Sequence, residues 1–316
     1  MNLKPNPMMD QKANIKKFHS LLLHWYNVNQ RPLPWRDTNN PYVILISEIM
    51  LQQTQVSRVR EKLPLFLKKF PTLQKLAKSS KAEVIRAWQG MGYNNRAVRL
   101  HQMSKNIIKN YDGRIPSEAS ILKELPGIGD YTSSAVACFA FYKRVPVVDV
   151  NIRRVLSRIF WKMKSPSDMR KEEEIWRLAK KILPNNCSRW HHALMDLGAT
   201  ICTSRKPFCT QCPVIELCKS KFLHRHANRE KSRQKSFEPT YAGLQRRLWR
   251  GKIIEALRNV NGTGLIPIMR LGRTVKPDFS KKEIHWLKII INQLCDDGLL
   301  QILETPRTMK VRLAQE

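Results

Sequence analysis

The sequence contains no run of apolar residues long enough to cross a membrane, and its first residues lack the apolar stretch of a secretory signal. Strand-like alternation of apolar and polar residues is nearly absent between residues 41 and about 228, and the chain has no internal repeat. These absences argue against a membrane protein or a membrane partner. They predict an intracellular protein, in the cytoplasm or nucleoid, with an all-α main body.

Acidic residues are scarce. Aspartate and glutamate number 25 against 57 lysines and arginines, a formal net charge of +32 that is spread along the whole chain. Such a field attracts polyanions and favours nucleic acid as the partner. A ribosome-binding face, a contact with anionic lipid or a device for solubility are the alternative interpretations.

Cysteines are also few, but their placement is informative. Four of the seven fall within 17 residues with the spacing C-x6-C-x2-C-x5-C: Cys202, Cys209, Cys212 and Cys218. This clustering argues against a secreted disulfide framework and for a metal site in a reducing compartment. Soft sulfur ligands suit an iron–sulfur cluster or a structural zinc, and ligand type alone does not choose between them.

Short Pro, Gly, Asn and Ser punctuation divides residues 41–228 into helices of ordinary length, after a first helix over 14–28. A basic stretch, 219–235, reads as a linker or as an arm along a phosphate backbone. Beyond it we expect helices over 244–260 and 281–295 and a weakly defined one near 266–271. Two extended runs, 299–303 and 309–313, then suggest the terminal hairpin of a winged-helix module.

The string Leu125–Thr132 contains Gly127 and Gly129 on either side of an apolar residue, between two helical segments. Glycines allow a tight turn there, and amide N–H groups at the following helix N-terminus suit a phosphate oxygen. This pattern is a helix-hairpin-helix signature, although a plain helical turn is the simpler interpretation.

Two acids stand in unexpected surroundings. Glu48 lies in an apolar helical segment that offers no polar face, and burial favours the protonated form of a carboxyl, which could then donate its proton to a departing base. A basic partner such as Arg36 or Arg96 is the alternative explanation. Asp149 precedes a helix, where it can serve as an ordinary N-cap or, as an anion, can stabilise positive charge on a sugar. One protonated and one ionised carboxyl are the pair used in glycoside hydrolysis.

Residues from about 16 to 220 resemble the adenine DNA glycosylase branch of the helix-hairpin-helix superfamily, which also contains thymine-mismatch glycosylases. The matching strings include Leu33–Arg36, Ser47–Val56, Gly90–Tyr93, Leu125–Gly129 and Val147–Asp149. The cysteine loop also resembles that of endonuclease III, which favours a 4Fe–4S cluster over zinc.

The resemblance implies a six-helix barrel with the hairpin over 31–144 and a cluster domain over 1–30 and 145–222. A basic linker over 223–238 and a winged-helix-like α+β module over 239–316 complete the expected organisation. We expect a monomer that binds double-stranded DNA carrying a mismatched or damaged base.

The same resemblance implies roles for individual residues. Glu48 protonates the base and helps water attack, Asp149 stabilises the sugar cation, and Asn151 orients these groups. Tyr131 stands where lyase-competent relatives carry a lysine, which predicts a monofunctional enzyme. DNA and base contacts fall on a wider set: Arg36, Gln53, Tyr93, Gly127, Gly129 and His192.

Two departures affect specificity. His192 replaces the family's usual acid or amide at a base-contacting position, and the winged-helix pattern replaces the usual Nudix-like domain, which weakens the expectation of selectivity for an oxidised partner base. The leading hypothesis is excision of adenine opposite guanine or 8-oxoguanine. Removal of thymine or uracil opposite guanine is the alternative, and a non-catalytic cluster-bearing DNA-binding regulator is the alternative of another class.

Overall fold

A computed structural model describes residues 7–163, 168–223, 238–260, 264–305 and 308–315 of the 316. Most of this chain is helical, and the first eleven helices are α1 (Pro7–Asn29), α2 (Pro41–Leu51), α3 (Val56–Lys69), α4 (Leu73–Lys78), α5 (Lys81–Ala87), α6 (Asn95–Asn110), α7 (Ala119–Lys123), α8 (Asp130–Phe141), α9 (Val150–Phe160), α10 (Glu172–Lys181) and α11 (Cys187–Thr200). The all-α body is thus confirmed. The first helix is longer than the predicted 14–28, because residues 7–13 lack the apolar periodicity used to place it.

The chain forms two compact units. The first comprises residues 1–44, 117–123 and 128–232, and the second comprises 45–116, 124–127 and 233–316. In the first unit α11 packs against α1, α8 and α9. The contact faces are apolar: Trp190 lies edge-on to Phe18 with ring centroids 4.8 Å apart, and Leu194 and Leu156 are buried. A core of this kind follows from apolar residues at helical spacing.

In the second unit α6 packs against α4 and α5 around buried Phe66, Phe70 and Trp88. Polar side chains cap the starts of two of these helices. Thr72 accepts a hydrogen bond from the Lys75 amide at the start of α4, and Ser80 forms a capping box with Glu83 at the start of α5. These caps satisfy amides that would otherwise lack partners at the beginning of each helix.

The C-terminal module also belongs to the second unit. It contains β1 (Thr240–Tyr241), β2 (Leu244–Gln245), α12 (Arg246–Arg258), β3 (Ile266–Pro267), α13 (Ile268–Val275), α14 (Ile284–Asp296), β4 (Leu300–Thr305) and β5 (Thr308–Leu313). The antiparallel sheet has the order β3–β5–β4, with Ile302 opposite Val311. The helices and terminal hairpin expected of a winged helix are therefore present.

Details of this module differ from expectation. The predicted helix over 244–260 begins two residues later, because Leu244 and Gln245 pair as a strand with β1. The weakly defined helix near 266–271 is instead a short strand followed by α13, since Pro267 can end the strand and precede a helix. Residues 224–237 of the basic linker lie outside the described residues.

Side chains of α12 fix the module to the barrel helices of the same unit. Arg258 is almost fully buried and donates to the Asn94 side chain at 2.8 Å and to the Ile85 carbonyl at 3.1 Å. The Lys81 amide donates to the Gln315 carbonyl at 3.1 Å. The module thus has one defined position against α5 and α6. No helix in the described part of the chain is long and apolar enough to span a bilayer.

Candidate active site and cluster-binding loop

Glu48 lies on α2 and is 4% exposed. Apart from Ser47, its neighbours in the helix are apolar, and Leu45, Ile49 and Met50 are themselves buried. The burial expected from the sequence is therefore present. A carboxyl in such surroundings is favoured in its protonated form, because the charged form would lose its hydration.

Arg96, considered above as a partner for Glu48, bonds to a different set of groups. Its two terminal nitrogens donate to six oxygens at the end of α2 and in the following loops, those of Ile49, Met50, Gln52, Thr54, Met91 and Gly92. Burial lowers the pKa of Arg96 to about 10, and its guanidinium lies over the rings of Trp88 and Tyr93. Carbonyls at a helix C-terminus carry partial negative charge and stabilise this cation. One guanidinium thus joins the loop after α2 to the loop before α6.

Those two loops carry Gln53 and Tyr93, two of the residues predicted to contact DNA. Both adopt left-handed backbone conformations, with φ of 53° and 43°, and both side chains are exposed, Tyr93 to 60%. A left-handed conformation is uncommon for residues other than glycine and persists where the surroundings enforce it. The hydrogen bonds from Arg96 hold the backbone of both loops in place.

The predicted hairpin forms between α7 and α8. Gly127 has φ of +83°, and a Cβ there would lie 3.1 Å from the Arg99 side chain, so both the conformation and the space favour glycine. Gly129 is the N-cap of α8, with an extended backbone, and Tyr131 lies half-buried in the first turn of that helix. The start of α8 therefore has the geometry expected of a phosphate-binding turn.

Asp149 is the N-cap of α9. Its carboxylate accepts hydrogen bonds from the Ile152 amide at 2.7 Å and from the Asn151 side chain at 2.8 Å. Burial raises the pKa of Asp149, while these two hydrogen bonds and the charge of Arg154 act to lower it. The predicted capping role and the predicted contact with Asn151 are both present in the geometry.

A chain of hydrogen bonds continues from Asp149 along α9. Arg154 donates to the Asn151 side-chain oxygen at 2.8 Å, to the Gly198 carbonyl and, at 2.8 Å, to the Cys202 carbonyl. One turn later Arg158 is buried and donates to the Thr203 carbonyl at 2.7 Å. These arginines therefore connect the N-cap carboxylate to the start of the cysteine loop.

The four loop cysteines line one small cavity together with Arg158 and apolar residues including Ile201, Phe208 and Ile215. Burial raises the pKa of Cys212 to about 12 and that of Cys218 to about 11. Within the described ranges no three His, Cys, Asp or Glu side chains are placed to hold a single metal ion. The donor set is four sulfurs in an apolar pocket, which fits an iron–sulfur cluster in chemistry.

Arg36 and Arg31 share a carboxylate that sequence reasoning missed. Asp196 lies on α11 with a fully buried side chain, and it accepts two hydrogen bonds from Arg36, at 2.8 and 2.9 Å, and one from the Arg31 Nε at 2.6 Å. Burial alone would raise the pKa of Asp196, but the bonds and charge of Arg36, with those of Arg31, leave it below its ordinary value. Asp196 stands between the apolar residues Met195 and Leu197. The same pattern, an acid among apolar residues of a helix, identified Glu48 from the sequence and could also have identified Asp196.

His192 and Arg36 line a cavity of about 510 Å³ in the first unit, together with Trp35 and Phe139. The His192 ring stacks on Phe139 with centroids 4.3 Å apart. Burial and the charge of Arg36 lower the pKa of His192 to about 3. This histidine is therefore neutral and offers one donor and one acceptor at neutral pH.

Its neighbour His191 is buried and has a structural contact. The Val147 amide, two residues before Asp149, donates to His191 Nε2 at 3.0 Å, and the thiols of Cys138 and Cys187 lie beside the ring. Burial lowers the pKa of His191 to about 3. Neutral His191 thus supports the segment that leads to Asp149.

A family model of the HhH-GPD superfamily of base excision DNA repair proteins matches residues 46–181. Adenine DNA glycosylase of Mycobacterium tuberculosis is 40% identical over 264 residues, which cover 81% of this chain and 83% of that protein. A buried acid, a hairpin and a four-cysteine loop on a helical scaffold agree with these matches. The chain belongs to the HhH-GPD superfamily.

Other relatives match a smaller part. Adenine DNA glycosylase of Homo sapiens is 38% identical over 219 residues, covering 66% of this chain and 40% of the human protein, so the chain spans less than half the length of that relative. A solved structure of a thermostable thymine-DNA glycosylase superposes with a TM-score of 0.61 at 35% identity, covering 66% of this chain and 96% of the other. Relatives named for different bases therefore share this scaffold.

Proposed function

We propose that the protein is a monofunctional DNA glycosylase of base excision repair that hydrolyses the N-glycosidic bond of adenine mispaired with guanine or 8-oxoguanine. The observation that carries the proposal is the burial of Glu48 in a largely apolar helix. Burial disfavours the charged form of a carboxyl, and a carboxyl that holds its proton suits a proton donor. The similarity to adenine DNA glycosylases supports the choice of base.

In the proposed mechanism the protonated Glu48 gives its proton to the departing adenine, so that the base leaves as a neutral molecule. Positive charge then develops on the sugar, and the Asp149 carboxylate stabilises it. Glu48, now an anion, accepts a proton from the water that attacks the sugar. Asn151 fixes the Asp149 carboxylate through the 2.8 Å hydrogen bond. Reaction by water alone leaves an abasic site.

Absence of strand cleavage follows from Tyr131. A lyase needs an amine to form a Schiff base with the sugar, and a phenol cannot do so. We propose that Tyr131 instead lies against the sugar or the base as a polar contact. The turn just before this helix also offers the Gly127–Gly129 amides to a DNA phosphate.

Base extrusion needs a group to fill the vacated space. We assign this role to Gln53 and Tyr93, because both are exposed and held in fixed, left-handed conformations. A rigid wedge helps to offset the few kcal/mol lost when a base is unstacked. Arg36 and neutral His192 are the proposed contacts to the extruded base.

We propose that Cys202, Cys209, Cys212 and Cys218 hold a 4Fe–4S cluster, which would fix the loop 202–218 as a structural clamp. Purified protein should be brown and should contain iron and acid-labile sulfide. A colourless protein that contains zinc after anaerobic purification would contradict this assignment.

The proposed organisation keeps the domains predicted from the sequence: a cluster domain over 1–30 and 145–222, a barrel over 31–144, a linker over 223–238 and a winged-helix-like module over 239–316. The proposed partner is double-stranded DNA with a mismatched or damaged base, bound by a monomer inside the cell.

The first experiment is a single-turnover assay, with enzyme in excess, on duplexes containing A·G, A·8-oxoG, T·G or U·G, followed by alkali to reveal abasic sites. Wild-type protein should cut the adenine-containing duplexes. Cutting only of T·G and U·G would favour the thymine or uracil alternative, and no cutting at all would leave the non-catalytic regulator.

Replacement of the acid tests the mechanism. Glu48→Gln should abolish cutting and leave DNA binding largely intact, because the amide cannot give up a proton. Glu61→Gln, the same change at an exposed position on α3, is the matched control and should cut like the wild type. A Glu48→Gln protein as active as its parent would remove Glu48 from the mechanism.

A further inference from the structure

A cavity of about 760 Å³ lies in the second compact unit, beside the wedge residues Gln53 and Tyr93. The loop carrying Tyr93 and the start of α6 form one wall. The other wall is one face of α12, with residues at helical spacing: Arg247, Arg250, Gly251 and Ile254. Because α12 is fixed to the barrel helices through Arg258, both walls have defined positions.

The chemistry of the walls suits a nucleotide. The charged residues among those that line this cavity in the described chain are arginines, and Arg99 and Arg247 are exposed. The Arg247 side chain is 68% exposed; it pairs with Glu238 at 3.5 Å and donates to the Gln245 side chain at 2.5 Å. Arg250 pairs with Asp297. Arginine donors match phosphate oxygens and the O6 and N7 acceptors of guanine. Tyr93 adds an aromatic surface for a base, and the volume is typical of ligand sites.

Gly251 provides a second, independent observation. It lies inside α12, where glycine costs about 0.5–1 kcal/mol relative to alanine. An added Cβ there would meet no atom within 4 Å, so packing within the protein does not require glycine. Glycine at such a position allows a ligand to approach the backbone closely. Gly251 is also one of the residues that line the cavity.

Extrusion of a base leaves its former partner unpaired in the opposite strand, next to the wedge. Resting on the glycosylase function proposed above, we propose that this cavity receives that unpaired purine. Arg247 and Arg250 donate to the acceptor edge of the base, and Gly251 allows close approach. The C-terminal module is then a determinant of mispair specificity.

The test measures binding, by fluorescence anisotropy, to duplexes in which a tetrahydrofuran abasic analogue stands opposite guanine, 8-oxoguanine or a second tetrahydrofuran. Wild-type protein should bind the purine-containing duplexes about tenfold more tightly than the duplex without a base, as expected for arginine contacts to a base edge. Arg247→Ala/Arg250→Ala and Gly251→Ala should each bring that ratio close to one. Arg273→Ala, an exposed arginine of α13 in the same module, is the matched control and should keep the ratio.

A result caused by misfolding is least expected for Gly251→Ala, because alanine should leave α12 at least as stable. Thermal unfolding of this variant checks that point. A wild-type ratio of one, or ratios unchanged in both cavity variants, would overturn the inference. A uniform loss of affinity for all three duplexes would also overturn it, since the arginines would then contact only the backbone. Single-turnover cutting of A·G separates the two proposals: cutting with unchanged ratios rejects the cavity alone, and a purine preference without cutting rejects the glycosylase alone.

Discussion

At the scale of single residues, the Asp149 carboxyl is held between opposing effects. Burial raises its pKa, and the amide of Asn151 is one of the donors that favour the anion. The proposed reaction requires the anion, so activity should fall as the pH decreases through the pKa of Asp149. Asn151→Ala removes a donor, raises that pKa further and should move the acid limb of the single-turnover rate to higher pH.

The measurement is the pH dependence of that rate for wild type, Asn151→Ala and a control, Asn292→Ala, at an exposed position on α14. The control should retain the wild-type profile. An Asn151→Ala profile that drops in height without any displacement of the acid limb would argue against a role for Asn151 in the ionisation of Asp149.

His191 determines part of the acid stability. Its pKa is about 3 in the folded protein and about 6.5 when unfolded, so the unfolded chain binds more protons between these values. Stability should therefore fall as the pH decreases below about 6.5, by up to about 1.4 kcal/mol per pH unit from this site. His191→Gln should weaken that dependence between about pH 6.5 and 5 in urea unfolding.

His285→Gln, at an exposed position on α14, is the control and should leave the pH dependence as it is in the wild type. His192 has the same direction of shift and should retain its own contribution in both variants. If the free energy of unfolding depends on pH in the same way for His191→Gln and the wild type, protonation of His191 does not contribute to the loss of stability in acid.

At the scale of elements, α9 joins two parts of the proposed machinery. Asn151, Arg154 and Arg158 follow one another at helical spacing, and Arg154 bonds to Asn151 and to the Cys202 carbonyl at once. A lysine cannot make these separate bonds from one planar group. Arg154→Lys should therefore lower the single-turnover rate about tenfold, the usual scale for residues that orient a site from behind.

Iron content, measured on the same preparations, distinguishes orientation of Asp149 from loss of the loop. Arg153→Lys is the matched control, because the Arg153 side chain donates to the Arg170 carbonyl instead. The control should cut at the wild-type rate. If the loss of iron in Arg154→Lys is as large as its loss of activity, loss of the cluster explains the effect, and the bond from Arg154 to Asn151 has no function of its own.

Elements with strong periodicity or clear caps could be predicted from the sequence. Thr72, Ser80 and Asp149 begin helices as their side chains indicate, and the terminal hairpin forms where alternation predicts it. The strand at Ile266–Pro267 could not be predicted, because two residues carry no period and pair only through contacts with β5. Superfamily membership and the helical fold are confirmed; the roles of Glu48 and Asp149 stay predictions.

Contacts between distant residues set the limit for the site as well. The burial of Glu48 could be predicted from its apolar neighbours in the sequence. Most hydrogen-bond partners of Arg96 and Asp196, by contrast, lie 42 or more residues away along the chain, and these bonds depend on how the loops meet. The left-handed conformations of Gln53 and Tyr93 also had no local signal, since neither residue is glycine. Such features arise from tertiary constraint, which a single sequence does not display.

At the scale of the whole molecule, a net charge of +32 should dominate encounters with DNA. Each phosphate neutralised contributes about 0.9 to the slope of log affinity against log salt, so undamaged duplex should bind with a steep slope. Anisotropy titrations over a range of KCl concentrations measure it. Glu48→Gln should share that slope, and affinity independent of salt would contradict an electrostatic mode of binding.

The buried guanidinium of Arg96 has a consequence for how the protein moves. One side chain bonds to six oxygens at the end of α2 and in the two following loops, so displacement of Arg96 would loosen both loops at once. Residues 51–54 and 91–93 therefore form one cooperative unit, whose amides should exchange with solvent at a common opening free energy. A substitution in either loop should therefore change the opening free energy measured at the amides of the other.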